Sequence, residues 1–127
     1  MTFQFGTKSL ERLATVHPDL QNLFKEAITN SPYDFSITEG IRTLERQKQL
    51  VADKKSTTLN SRHLTGKALD IAVIVDGKVT WDIQAYKVVA EHIKSVAKLM
   101  NIAIVWGGDW KSFIDGPHFE LDKKVYL

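Results

Sequence analysis

The sequence predicts an α+β domain in which helices flank a small mixed, largely antiparallel sheet. Three observations carry that prediction. Apolar residues recur at helical spacing from Pro18 to about Asn30 and again from Asp82 to about Asn101. The stretch from Ala68 to Val75 is a continuous apolar run of strand length, interrupted by the single carboxylate of Asp70. Asp76-Gly77, directly after that run, is a strong hairpin signal.

Taken in order, residues 9–13 make a short helical turn. Pro18 suits the first turn of the helix that follows, and Leu20, Leu23, Phe24, Ala27 and Ile28 form its apolar face. Pro32 ends it, since the residue before a proline resists helical angles. Residues 35–41 alternate like a strand, and Thr43 can cap a helix from Leu44 to about Asp53. Segment 54–60 is polar and reads as a mobile loop. Beyond the Asp76-Gly77 turn comes a second strand, Lys78 to Trp81. Asp82 caps the longest helix, whose stripe is Tyr86, Val89, Ala90, Ile93, Val96, Ala97 and Met100. Asn101 ends it, residues 102–106 return as a strand, and a short strand around Phe119 and Leu121 completes the element order. Both helical stripes read as core.

A length of 127 residues suits one domain with one core, and 43% apolar with 25% charged residues is ordinary for a globular chain. The net charge of +2 is mild, and no basic run interleaves with aromatics, which argues against a nucleic-acid partner. There is no cysteine, so disulfides, thiolate metal sites and cysteine nucleophiles are excluded. No stretch approaches a membrane span, and the N-terminus lacks the apolar core of a secretion signal. Accumulation in the cytoplasm, without stable membrane association, is the expectation.

Two stretches carry chemistry: Ser61-Arg62-His63-Leu64-Thr65-Gly66-Lys67-Ala68-Leu69-Asp70 and Asp115-Gly116-Pro117-His118-Phe119-Glu120-Leu121. Fully extended, the steps from His63 to Asp70 would span roughly 23 Å at ~3.3 Å per residue. Donors to one zinc lie only about 3 to 4 Å apart. The chain must therefore turn back between them, and Gly66 makes that turn possible. Side chains alternate along a strand, so Asp70 shares a face with Ala68 and Ala72, which leave space for a metal and a substrate, while Leu69, Ile71, Val73 and Val75 point the other way. By the same alternation Phe119 and Leu121 enter the core and leave His118 and Glu120 on the polar face. His63, Asp70 and His118 then make a zinc site with a fourth position for water, the open arrangement of a catalytic site. Zinc lowers the pKa of such water to about 7. Asp115, across a Gly-Pro turn from His118, is placed to take the proton, and Glu120 is the rival base. His17 and His92 lack such a context and read as structural or solvated.

At these residues the chain resembles the zinc peptidase superfamily of D-alanyl-D-alanine carboxypeptidases and dipeptidases. The match is Ser-x-His-x-x-Gly-x-Ala-x-Asp, followed by an acidic residue, two others and His. Closer still, Phe3-Gln4-Phe5-Gly6, Ser31-Pro32-Tyr33-Asp34-Phe35, Gly40-Ile41-Arg42-Thr43 and the second stretch resemble the L-alanyl-D-glutamate endopeptidases used as endolysins by tailed phages. The similarity covers nearly the whole chain. It implies a Hedgehog/DD-peptidase type of fold and one zinc ion per chain on His63, Asp70 and His118. It also implies Asp115 as the base, Glu120 behind the ligand histidine, Arg42 stabilising the oxyanion, and Trp106 and Trp110 lining the substrate cleft. Arg42 also has a plainer reading, a surface salt bridge with Glu39 or Glu45, and the tryptophans have one as core residues. Ser61 either holds a substrate carbonyl, orients a neighbouring side chain, or simply forms the turn. Some phage relatives carry a longer, acidic, calcium-binding loop after Asp109; the brief connection to Asp115 here argues against calcium control.

The activity implied is hydrolysis of the L-alanyl-D-glutamate bond in the peptidoglycan stem peptide, by a monomer without a separate cell-wall-binding module. The mild positive charge favours approach to an anionic wall, and access to it would need a holin to permeabilise the membrane. Two alternatives stand beside it: a D-alanyl-D-alanine carboxypeptidase or dipeptidase with the same metal chemistry, and a zinc-containing wall-binding domain without catalysis.

Overall fold

In the computed structural model, which describes residues 2–55 and 61–127, helices α1 (Thr7–Leu13), α2 (Pro18–Thr29), α3 (Leu44–Ala52) and α4 (Ile83–Met100) pack around strands β1 (Asp34–Glu39), β2 (Ala68–Val75), β3 (Lys78–Thr80), β4 (Ile104–Trp106) and β5 (His118–Leu121). Most of the expected mobile loop, residues 56–60, lies outside the described residues. The caps are those the sequence announced. Thr43 accepts the Arg46 N–H to start α3, Asp82 accepts the Gln84 N–H to start α4, and Asn101 closes α4 in the left-handed region at φ 60°. His17 turns out to be the cap of α2, its Nδ1 accepting the Asp19 N–H at 3.0 Å.

β2 is the centre of the sheet. β1 runs along one of its edges, from Asp34 opposite Ile74 to Glu39 opposite Asp70. The other edge is shared: β5 pairs with its first residues, Ala68 to Asp70, and β3 with its last, Val73 to Val75. β4 then pairs with β5. Every pairing among the described residues is antiparallel, so the expected mixed sheet narrows to a purely antiparallel one. The reason lies in β5. β2 and β4 run in the same direction, and β5 inserts between them instead of leaving them to pair as a parallel couple.

Three strands are shorter than expected, β3 by one residue, since it ends at Thr80 before Trp81. β1 stops at Glu39, after a register irregularity between Ile37 and Glu39. β4 begins only at Ile104, because the Ile102 N–H is used to bond the Ala97 carbonyl and finish α4. The sheet has one apolar and one polar face. Leu69, Ile71, Val73, Phe119 and Leu121 are fully buried on the first, against Leu20, Leu23 and Phe24 of α2 and Tyr86, Val89 and Ile93 of α4. Each such aliphatic side chain contributes about 1.5–3 kcal/mol through burial, so the core locks the register on which the polar face depends. Among the described residues no helix is long and apolar enough to cross a membrane.

Candidate metal centre and active-site cleft

The polar face owes its chemistry to one row of cross-strand neighbours. Glu39 of β1 is paired with Asp70 of β2, and Asp70 with His118 of β5. Since side chains of directly opposed residues share a face, this row places two potential ligands side by side. His63 comes from outside the sheet, on a short 3-10 turn, Arg62–Thr65. Ser61 caps that turn by accepting the His63 N–H, and Gly66 reverses the chain at φ 71°. The Gly66 carbonyl also accepts the His17 N–H at 2.8 Å, which ties the turn to the start of α2.

Three donor atoms converge there. His63 Nε2 is 3.2 Å from Asp70 Oδ1 and 3.2 Å from His118 Nδ1, and the third edge of the triangle, His118 Nδ1 to Asp70 Oδ1, is 3.3 Å. The opposite nitrogen of each ring has a partner that can only accept. His63 Nδ1 faces the Gly40 carbonyl at 3.0 Å, and His118 Nε2 faces Glu120 Oε1 at 2.9 Å. Each ring therefore places its N–H on that outer partner, and in the neutral tautomers the inner nitrogens carry lone pairs. Two lone pairs and a carboxylate oxygen at such range repel unless a cation lies among them. Donors about 2.0–2.1 Å from a tetrahedral ion would be roughly 3.3–3.4 Å apart, so the triangle fits a metal ion. Among the described residues no fourth ligand joins the group.

The electrostatics agree. Burial works against ionised Asp70, but its hydrogen bonds to His118 and His63 outweigh that and hold its carboxyl well below the usual range. Burial likewise works against a charged His118, yet the bonds to Asp70 and Glu120 prevail and raise it to about 9 in the metal-free protein. In both cases the group asks for positive charge at the same point.

Asp115 approaches from the loop before β5. Its carbonyl accepts the His118 N–H across the Gly116-Pro117 turn, and its N–H bonds the Gly107 carbonyl at 3.1 Å. A Cβ at position 107 would lie 2.3 Å from the Asp115 oxygen and 3.0 Å from His118 Cβ, so glycine is what lets the loop come this close. Burial, and then the charge of Asp70, push the Asp115 carboxyl above its ordinary value. Arg42 enters from the other side. Its Nε and Nη2 clamp both oxygens of Glu39 at 2.7 and 2.8 Å, Nη1 donates to Gln47 Oε1 at 2.6 Å, and Nη2 stands 3.6 Å from Asp70 Oδ2. His63, Asp70, His118, Asp115, Arg42, Ser61 and Glu120 all line one cleft of about 390 Å³.

A family model described as phage L-alanyl-D-glutamate peptidase matches residues 1–122. The chain belongs to this peptidase family. It is 37% identical to the L-alanyl-D-glutamate peptidase of Escherichia phage T5, across 99% of this chain and 94% of that protein. The L-alanyl-D-glutamate peptidase of Listeria phage A118 is 40% identical across 71% of this chain, which spans only 31% of that longer protein. The peptidoglycan L-alanyl-D-glutamate endopeptidase CwlK of Bacillus subtilis is 30% identical across 84% of this chain and 73% of CwlK. The crystal structure of the Serratia marcescens L-Ala D-Glu endopeptidase ChiX matches with a TM-score of 0.90 at 39% identity, covering 97% of this chain and 93% of ChiX.

Within this member of the peptidase family the two tryptophans part company. Trp110 lines the cleft, its ring centroid 5.0 Å from that of His118. Trp106 does not line it: it is only 3% exposed, in the core. The register explains the correction, because Trp106 is opposite Phe119, which is opposite Leu69, and that row faces the core. Its indole N–H still reaches the site indirectly, donating to the Gly116 carbonyl at 2.6 Å and bracing the Asp115–His118 turn. The Arg42–Glu39 ion pair exists, but in the cleft wall with Arg42 only 8% exposed, and not on the open surface. Ser61 orients the turn that carries His63.

Among the contributors that sequence reasoning missed are the Gly40 carbonyl, Gln47, Trp81 and Phe113. Gln47 left a signal, being a polar residue one turn before Leu50 on the buried side of α3. The other three left none, since each depends on where a loop passes in space. His92 is structural as expected, with Nε2 on the Ala27 carbonyl.

Proposed function

We propose that this peptidase is a zinc-dependent endolysin that cleaves the L-alanyl-D-glutamate bond of the peptidoglycan stem peptide. One observation carries the reading: two imidazole nitrogens, each ring backed by an acceptor-only partner, and the Asp70 carboxylate converge beside a carboxylate of raised proton affinity in a cleft. Family membership and relatives named for that activity support the choice of bond. His63 Nε2, His118 Nδ1 and Asp70 Oδ1 would hold the ion, and a set of two imidazoles and one carboxylate suits zinc better than calcium or magnesium. Bound zinc supplies Lewis acidity and makes water acidic enough to attack at neutral pH.

The chain's own residues do the rest. Asp115 accepts the proton of the attacking water and delivers it to the departing amine of D-glutamate. Arg42, permanently charged and held by Glu39 and Gln47, stabilises the negative charge that develops on the scissile carbonyl oxygen. Glu120 and the Gly40 carbonyl fix the tautomers of the two histidines, which leaves Glu120 committed to His118 rather than free to act as the base. Trp110 forms a wall over His118. The protein would act as a monomer, be made in the host cytoplasm, and reach the wall once a holin has opened the membrane.

Digestion of purified sacculi, with the new termini identified by mass spectrometry, tests the reading. N-terminal D-glutamate is the expected product; release of free D-alanine would overturn the choice of bond. A chelator should abolish the digestion and zinc restore it, and digestion indifferent to chelation would sink the metal mechanism.

A further inference from the structure

We propose that the end of the cleft beyond Glu120 binds the free carboxylate of the substrate's D-glutamate, with Lys123 as its counter-ion. The proposal rests on the L-alanyl-D-glutamate specificity argued above. The strand register gives the cleft two unlike ends. Towards the start of β2, Ala68 is opposite Glu120 and the Lys67 carbonyl accepts the Leu121 N–H, so the ladder ends about 10 Å from Asp70 at ~3.3 Å per residue and the segment carrying Lys123 lies past that end. Towards the end of β2, Val73 is opposite Thr80, which brings Trp81 alongside Ala72. Lys123 and the 67%-exposed Trp81 both line the cleft, with the triad of donors between them.

Charge decides which end takes the acid. Glu39, Asp70, Asp115 and Glu120 all line the cleft, so a further carboxylate beside them would be repelled. D-Glutamate brings one: it has two carboxyl groups, and only one is used to continue the stem peptide. Both cleft arginines are already engaged. Arg42 clamps Glu39, while Arg62 donates through Nη2 to the Leu121 and Tyr126 carbonyls and has its Nε 3.9 Å from Glu120. Lys55 and Lys123 are the remaining cations of the lining, and among the described residues neither ammonium has an acidic partner.

The backbone that carries Lys123 is held in place. The Asp122 N–H bonds the Ala103 carbonyl at 2.9 Å, the Asp122 side chain accepts the Lys124 N–H at 2.9 Å, and the Tyr126 hydroxyl donates to Asp19 at 2.6 Å. With Arg62 bonded to carbonyls on either side of it, residue 123 is fixed at its root and exposed at its tip. Such an ammonium can meet a substrate carboxylate at little further cost in backbone order.

Two synthetic stem peptides that differ only at this group, carboxylate against carboxamide, test the proposal. The wild type should favour the carboxylate peptide roughly three- to tenfold in kcat/KM, mainly through KM, and less at high salt. Lys123→Ala should abolish the preference while cleaving the carboxamide peptide as the wild type does; Lys123→Arg should keep it, and Lys123→Glu should reverse it. An unchanged carboxylate preference in Lys123→Ala, or no preference in the wild type, overturns the assignment of Lys123 but leaves the cleavage site intact. Failure of the wild type to cut either peptide overturns the specificity reading itself, and this proposal with it.

Discussion

The two halves of the proposed catalytic site are built by different means. Asp70 and His118 are on directly paired strands, so their separation follows from the ladder itself and from the apolar face that locks its register. Asp115 and Arg42 are on connecting segments and owe their places to individual contacts: a backbone approach at Gly107 for the first, an ion pair with Glu39 for the second. His63 stands between these cases, on a turn tied at Ser61, Gly40 and Gly66. The half that would grip the ion is thus rigid by construction, and the half that would move protons and charge is adjustable. Mutations should be able to separate them.

The largest effects test that separation directly. Asp70→Ala removes one of the three proposed ligands, and both bound metal and hydrolysis should fall below detection by elemental analysis and sacculus digestion. Asp115→Ala should keep one metal ion per chain and lose about 10²- to 10⁴-fold in rate. Loss of the metal there as well would break the distinction between the halves. Asp115→Asn sharpens it further. The folded-state pKa of Asp115 is raised, so the protonated carboxyl is the form that suits the fold: its stabilisation is complete below the unfolded-state pKa and lost as pH rises through the folded one. At neutral pH the metal-free Asp115→Asn variant, inactive as it is, should melt above the metal-free wild type.

Next in size is Gly107→Ala. The new methyl would have to displace the Asp115 backbone, whereas His118 is held by pairing on β5 and by Glu120. A rate loss of about a hundredfold from misplacement alone is the expectation, with metal content retained. Smaller again is Glu120→Gln, which keeps an acceptor for His118 but removes the charge behind it. Metal affinity, measured by chelator competition, should fall about ten- to a hundredfold. The pH dependence has a definite sign. His118 is raised to about 9 in the metal-free protein, so at pH 7 a proton occupies the position the ion needs, and affinity should climb roughly tenfold per pH unit until about 9.

How much of this was legible in the sequence follows the same division. Periodicity gave α2 and α4, the Asp-Gly pair gave the β2–β3 hairpin, and alternation along β2 and β5 put Asp70, His118 and Glu120 on one face. These features repeat at the step of a helix or strand, so local spacing encodes them. What stayed hidden depends on distant segments meeting. That Glu39 would be opposite Asp70, that β5 would insert between β2 and β4, and that Trp106 would turn inward with Phe119 are all consequences of register. Spacing along one strand shows which residues share a face; it does not show which strand comes to lie beside it.

The smallest expected effect lies outside the site, in the segment that follows β5. The Tyr126 hydroxyl donates to Asp19 at 2.6 Å, and that bond, with some burial, pushes the phenol up to about 12. Because the folded-state pKa is raised above the ordinary value of about 10, the bond's contribution is fully present below pH 10 and disappears as pH climbs towards 12. Tyr126→Phe should therefore cost about 1 kcal/mol at pH 8, read from denaturant midpoints, and the gap to the wild type should close between pH 10 and 12. Metal binding should not change, since Asp70 and His118 are held by their own strands. A large loss of metal in Tyr126→Phe would mean that the segment after β5 does more than anchor residue 123: it would make the rigid half of the site depend on a contact formed outside the sheet.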